Sequence, residues 1–137
     1  MHLDSSAFIA DASLIEVLGK DAEPVDCAQN RILFRQGDLP SGLHLLLKGE
    51  ATISMTSESG DSLVNSRAVS GSILGLPGVL GNSPYTLTVA ALAGAEVRFV
   101  SRERFTALMQ SDPLLALKIL HVLAAEVRTA RYALSQM

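Results

Sequence analysis

The sequence predicts a mainly β domain with flanking helices, and three patterns predict it. Between Pro24 and about residue 100, short β-branched or leucine-rich runs alternate with turn residues, the spacing of a small antiparallel sandwich or barrel. An apolar pattern with helical spacing comes before them, and two more follow. At 137 residues the chain has room for one domain of ordinary size. Residues 1–137 are therefore read as a single unit, with N-terminal helices over 1–23, a β-roll over 24–100 and C-terminal helices over 101–137.

From the N-terminus, residues 7–18 carry Phe8, Ile9, Leu14, Ile15 and Leu18, with Asp11 and Ser13 as caps, which suits one or two short helices ending at Gly19. Strands are expected at 31–35, 43–47, 51–55, 87–92 and 96–100, separated by turn pairs such as Gly37 with Asp38 and Ala93 with Gly94. Across 51–55, Ala51, Ile53 and Met55 alternate with Thr52 and Ser54, so that strand has one wet face. Ser101 opens a short helix bearing Phe105, Leu108 and Met109 on one side. Asp112 and Pro113 open a longer one, as N-cap and first-turn proline.

That last helix carries a second pattern. Leu120, Leu123, Val127, Ala130, Leu134 and Met137 recur at intervals of three and four, a heptad seam with Leu120 at a and Leu123 at d. Glu126 then falls at g and Arg131 at the following e, the separation at which opposite charges pair across a parallel two-stranded coiled coil. The expectation is a homodimer through the C-terminal helix; the alternative is that the stripe docks on the chain's own β-domain.

Composition removes several function classes. Eleven Lys and Arg against fourteen Asp and Glu give a net charge of −3, the wrong sign for a broad phosphate-facing surface. The single cysteine, Cys27, excludes an intrachain disulfide and a multi-cysteine metal site, and fits a reducing, cytoplasmic setting. No apolar run approaches the roughly 20 residues a membrane span needs, so no membrane association is expected. His2, His44 and His121 are scattered, so no metal site is expected; His44 reads as structural, and His121 at heptad b faces away from the seam. No nucleophile elbow or phosphate-binding P-loop is present, and the chain is not expected to be an enzyme.

The stretch Arg31-Ile-Leu-Phe-Arg-Gln-Gly-Asp38, followed by Ser41-Gly-Leu-His-Leu-Leu-Leu-Lys-Gly49, resembles the opening of cyclic-nucleotide-binding domains of the catabolite-activator (CRP/FNR) family. Residues 71–89 stand where that family carries its phosphate-binding cassette, and the resemblance extends over about residues 8–137. It implies a double-stranded β-helix (jelly roll) with N-terminal helices and a long C-terminal dimerisation helix. It also implies a ligand site. In the family, a short helix after the first cassette glycine meets the cyclic phosphate, a Glu accepts from the ribose hydroxyl and an Arg neutralises the phosphate. Here Leu76 stands at the Glu position and Tyr85 at the Arg position. Gly75 falls where backbone approaches the occupant, Pro77 sits in the first turn, and Thr86 is a possible hydroxyl donor. Ala130 and Arg131 lie about where family members contact the purine.

Losing two charge-assisted hydrogen bonds weakens phosphate binding by roughly a hundredfold or more. Arg67 is the nearest other cation that strand patterning could turn inward. No cofactor is expected, and a cyclic nucleotide is disfavoured as the ligand. Leu76, Pro77, Tyr85 and Leu87 suit either an apolar pocket, with Tyr85, Thr86 and Thr88 as its polar groups, or a filled core with no cavity. The expected function is a regulatory ligand-sensing module with a small-molecule effector or a protein partner. The alternatives are a non-sensing dimerisation or docking module, or the sensor part of a longer transcriptional regulator. Because the chain ends at Met137, directly after the dimer helix, direct nucleic-acid binding by it is not expected.

Overall fold

Asp11 starts the first helix: its carboxylate accepts from the Ser13 N–H at 2.7 Å, and α1 (Ala12–Gly19) then buries Leu14 and Leu18. The computed structural model describes residues 1–136, and these form four helices and eight strands. The strands are β1 (Glu23–Val25), β2 (Arg31–Phe34), β3 (Gly42–Lys48), β4 (Glu50–Thr56), β5 (Ser62–Val69), β6 (Ser72–Leu74), β7 (Thr88–Ala91) and β8 (Glu96–Ser101). They make two antiparallel four-stranded sheets, ordered β1-β8-β3-β6 and β2-β7-β4-β5, which is the expected jelly roll with flanking helices. β3 is buried on both faces, and Leu43, Leu45, Leu46, Ile53, Ile73 and Val100 lose essentially all solvent contact, so the core extends from between the sheets to beneath the helices.

Three strands go beyond the sequence-based expectation. β1 and β6 span three residues each, too few for a periodicity to register. In β5 the inward residues are Val64, Ser66 and Ala68, a weakly apolar alternation; Ser66 is buried because its Oγ accepts from the Leu3 N–H at 2.6 Å.

Between β6 and β7 lies a single short helix, α2 (Leu76–Gly81). After β8 the Ser101 Oγ accepts from the Arg104 N–H at 3.1 Å and opens α3 (Arg102–Ser111), which buries Phe105. The Asp112 carboxylate accepts from the Leu114 and Leu115 N–H groups at 3.1 and 3.3 Å and opens α4 (Pro113–Ser135). Among the described residues, no single helix is long and apolar enough to cross a membrane.

α4 divides the heptad residues between two surroundings. Its core stripe is Leu115, Ile119 and Val122. Leu123 and Ala130 pack against the same core from the side, whereas Leu120, Val127 and Leu134 are 53%, 44% and 57% exposed. The d positions Leu123 and Ala130 thus serve the domain and the a positions Leu120, Val127 and Leu134 are more exposed, with Val127 at the border between the two, a division that spacing alone does not reveal. Met137 lies outside the described residues.

Candidate functional site

The residues expected to form a site lie where α2, the segment leading into β7, and α4 meet. Gly75 caps α2 with φ 95°, in the left-handed region, and offers no side-chain cap. A Cβ there would lie 3.1 Å from the Tyr85 ring and 3.3 Å from the Gly42 carbonyl oxygen, so the occupant Gly75 accommodates is Tyr85 itself. Leu76 is fully buried, and Pro77 in the first turn of α2 is exposed at the rim.

Tyr85 sits inside the protein instead of at a pocket mouth. It is 3% exposed, and its ring stacks on Phe34 with centroids 4.1 Å apart. Its hydroxyl donates to the Gly42 carbonyl at 2.7 Å and accepts from the Ser41 and Gly42 N–H groups at 3.1 and 3.2 Å. Its backbone also pairs with the preceding turn: the Tyr85 N–H donates to Asp38 O at 2.9 Å, and Gly37 N–H donates to Tyr85 O at 2.8 Å. One side chain therefore ties the entry to β3 to the segment after α2. Gly42 is held to glycine by other neighbours, because any Cβ there would overlap the Val100 carbonyl and the Phe99 ring.

The other expected polar groups fare differently. The Thr88 Oγ1 is engaged by the Gln36 N–H at 2.9 Å, while Thr86 is exposed on the rim. Arg67 projects from the outer face of β5 and pairs with Glu50 at 2.7 Å, so strand alternation turns it away from the site. Ala130 faces the roll; Arg131 is exposed and lines neither cavity of the site.

Two connected spaces remain. A remnant cavity of about 30 Å³ lies against Phe34, Gly75 and Tyr85. It adjoins a cleft of about 260 Å³ between α4, the N-terminal segment and the β4–β5 face. Phe8, Pro77, Thr86, Leu87 and Glu126 border both. Among the described residues, no Lys, Arg or His side chain lines either space.

Glu126 is the residue that sequence reasoning misassigned. Instead of reaching a partner helix from a g position, it turns into its own domain, with Oε1 buried and without a hydrogen-bond partner. Burial pushes its carboxyl up to about 8 from an ordinary 4.5. The signal was available: Glu126 continues the stripe of Leu115, Ile119 and Val122 at intervals of four, three and four. The charge pattern favoured the other face.

Other candidate groups are structural. His44 lies between the rings of Phe34 and Phe99, at 5.7 and 5.1 Å, and burial, with the nearby charge of Arg31, lowers its pKa to about 4. His121 is exposed on α4. Burial pushes the Cys27 thiol up, Asp26 adds to this, and Arg31 opposes it. Among the described residues, no group of three His, Cys, Asp or Glu side chains is arranged to hold a metal ion.

Comparison with known proteins bears on both fold and family. The family model described as "Cyclic nucleotide-binding domain" matches residues 24–112. A lysophospholipase of Neurospora crassa is 29% identical over 106 residues, which is 77% of this chain and 7% of that protein. The catabolite activator protein of Thermus thermophilus superposes with a TM-score of 0.77 at 22% identity, over 92% of this chain and 59% of that one. A transcriptional regulator from Thermotoga maritima gives 0.73 at 19% identity, over 88% and 94% of the two chains. The sensor domain of the regulator DNR from Pseudomonas aeruginosa gives 0.66 at 18% identity, over 85% and 79%. At these identities the three structures bear on the fold alone, and the chain spans a small part of the lysophospholipase and 59% of the Thermus protein.

Proposed function

This chain belongs to the cyclic nucleotide-binding domain family, and from that premise we propose that it is a regulatory ligand-sensing domain, not an enzyme, refitted away from cyclic nucleotides. The observation that carries this reading is the position of Tyr85. At the place assigned to the phosphate-neutralising Arg, the ring is stacked in the core and the hydroxyl is committed to backbone partners. With Leu76 also buried and, among the described residues, no Lys, Arg or His side chain along either space, a cyclic phosphate would be desolvated without a side-chain counter-charge. Gly75, Pro77, Tyr85 and Thr86 then form the floor and rim of the site, with Leu76 buried behind them and lining neither space; Ala130 borders the cleft and Arg131 lies beyond it.

The cleft offers a route to signalling. Leu123, Glu126, Val127 and Ala130 make α4 one of its walls, so a ligand with different affinity for two positions of α4 shifts the balance between them. A single buried thiol and a negative net charge suit a cytoplasmic setting without direct nucleic-acid contact.

Calorimetric titration of the protein with cyclic AMP and with cyclic GMP tests this. We expect no binding up to about millimolar nucleotide. Micromolar binding of either would overturn the reading of the cassette.

A second reading, dimerisation or docking, draws on the exposed a positions of α4. Leu117, Leu120, Val127 and Leu134 follow one another along its outer side, all between 44% and 57% exposed. We propose a homodimer through this face, with the d positions Leu123 and Ala130 at its margin. Leu120→Glu is a cleaner test than Leu123→Glu, because Leu123 also packs on the roll. Sedimentation is expected to give dimers for the parent and monomers for Leu120→Glu; a monomeric parent, or an unchanged mass in the variant, would rule the dimer out.

A further inference from the structure

The cleft beside α4 contains a group that neither the core nor the family resemblance explains. Its walls include Phe8, Val64, Leu87, Leu123 and Val127, yet Glu126 also lines it, with one carboxyl oxygen buried and without a hydrogen-bond partner. Buried polar atoms in folded proteins nearly always have partners, and a leucine would fill the same place at lower free energy. We propose that this cleft takes a small apolar amine, its hydrocarbon part against the wall and its ammonium group on the Glu126 carboxylate. The inference rests on reading the cleft as the ligand site, and it reverses the charge that a phosphate site would need.

Size and charge both favour this class. A space of about 260 Å³ suits a ligand at or below the lower end of the usual small-molecule range. An ammonium donor makes a charge-assisted bond, about twice as strong as one from a neutral donor. Among the described residues, the elements around Glu126 bring no Lys, Arg or His side chain into the cleft, and the ammonium of Met1, which does border it, is engaged with a backbone carbonyl. The Met1 amino group of the N-terminal segment donates to Leu63 O at 2.8 Å, His2 Nδ1 lies 3.1 Å from Asn65 O, and the Asp4 carboxylate accepts from Ser6. β4 and β5 contribute Met55 and Val64, and the approach to β7 contributes Thr86 and Leu87. On α4 the neighbours within the cleft are Leu123, Val127 and Ala130, and Arg131 is directed elsewhere. Burial alone accounts for the raised carboxyl pKa.

The proton balance follows. Near pH 7 the empty site holds Glu126 mainly as the neutral acid, whereas the bound ammonium pairs with the carboxylate. Binding therefore leaves the ammonium charged and releases the carboxyl proton to the buffer, about 0.9 proton per ligand for a group titrating near 8. Below that pH, affinity rises by up to about tenfold per pH unit, because less work is needed to remove the proton.

The test uses phenethylamine, 2-phenylethanol and 3-phenylpropionate as probes, titrated into the protein by calorimetry in phosphate and in MOPS at pH 7. The amine is expected to bind at least about tenfold more tightly than either isostere, and the dependence of its heat on the buffer is expected to show the proton release. Glu126→Gln should abolish the amine preference and the proton release, so that the amine binds no more tightly than 2-phenylethanol. If all three probes bind equally, or Glu126→Gln retains the amine preference, the amine assignment falls and the cleft survives as a ligand site. If none binds, both fall. Should Glu126→Gln not fold, the pH profile of the parent decides: an amine affinity that does not change between pH 6 and 8 overturns the assignment.

Discussion

Replacing Tyr85 with alanine is expected to lower the unfolding free energy by about 3–5 kcal/mol, a large share of the roughly 5–15 kcal/mol available to a single domain. The loss has two sources. The ring leaves a cavity against Phe34, on which it stacks at 4.1 Å. The hydroxyl leaves the Gly42 carbonyl and the Ser41 and Gly42 N–H groups without their shared partner. Tyr85→Phe separates the two, because it keeps the ring and is expected to cost about 1–3 kcal/mol. Urea unfolding followed by circular dichroism measures both. A Tyr85→Ala midpoint equal to that of the parent, at unchanged slope, would show that the phenol is not a structural pin. The same arrangement disposes of the simplest way to recreate a nucleotide site: Leu76→Glu with Tyr85→Arg would put two charges at positions that are 0% and 3% exposed.

Glu126 is expected to make the protein less stable as the pH rises. Its carboxyl titrates near 8 in the folded state and near 4.5 when unfolded, so between those values the folded state holds the extra proton. Stability therefore falls from about pH 4.5 to about pH 8 and levels off outside that window. Glu126→Gln lacks the titration. Its stability relative to the parent is expected to rise across the window by up to about 5 kcal/mol, with the full gain above pH 8. Asp4 and Asp11, whose carboxyls are held low chiefly by hydrogen bonds from Ser6 and Ser13, act in the opposite direction and at more acid pH, and the parent-minus-variant difference removes them. Thermal unfolding of the two proteins at pH 5, 7 and 9 is the measurement. A constant difference across these values would mean that Glu126 is solvated when folded.

Turn and cap chemistry made much of the fold legible in the sequence. Asp11, Ser101 and Asp112 cap the helices they were expected to cap, and the alternation of Ala51 and Ile53 with Thr52 and Ser54 is the pleat of β4. Where the pattern was short or chemically mild it disappeared: three residues in β1, three in β6, and a serine and an alanine on the inner face of β5. The site was harder, because its character depends on the direction a side chain takes. Tyr85 was open between a pocket and a filled core, since a phenol at a pocket and a phenol in a core have the same spelling; its ring stacks in the core. Glu126 was assigned to the wrong face because α4 carries two overlapping apolar stripes, and a heptad count follows only one of them.

The bridge between Gly42 and Tyr85 also restricts how this domain can change over time. Shrinking Tyr85 first orphans three backbone groups, and enlarging Gly42 first drives a side chain into the Val100 carbonyl and the Phe99 ring. Neither single step is neutral, so both positions resist change, each through its own neighbours. A laboratory lineage selected to widen this interior should first collect compensating changes elsewhere in the scaffold, and should begin its visible adaptation at the α4 side of the cleft, where no such restraint exists.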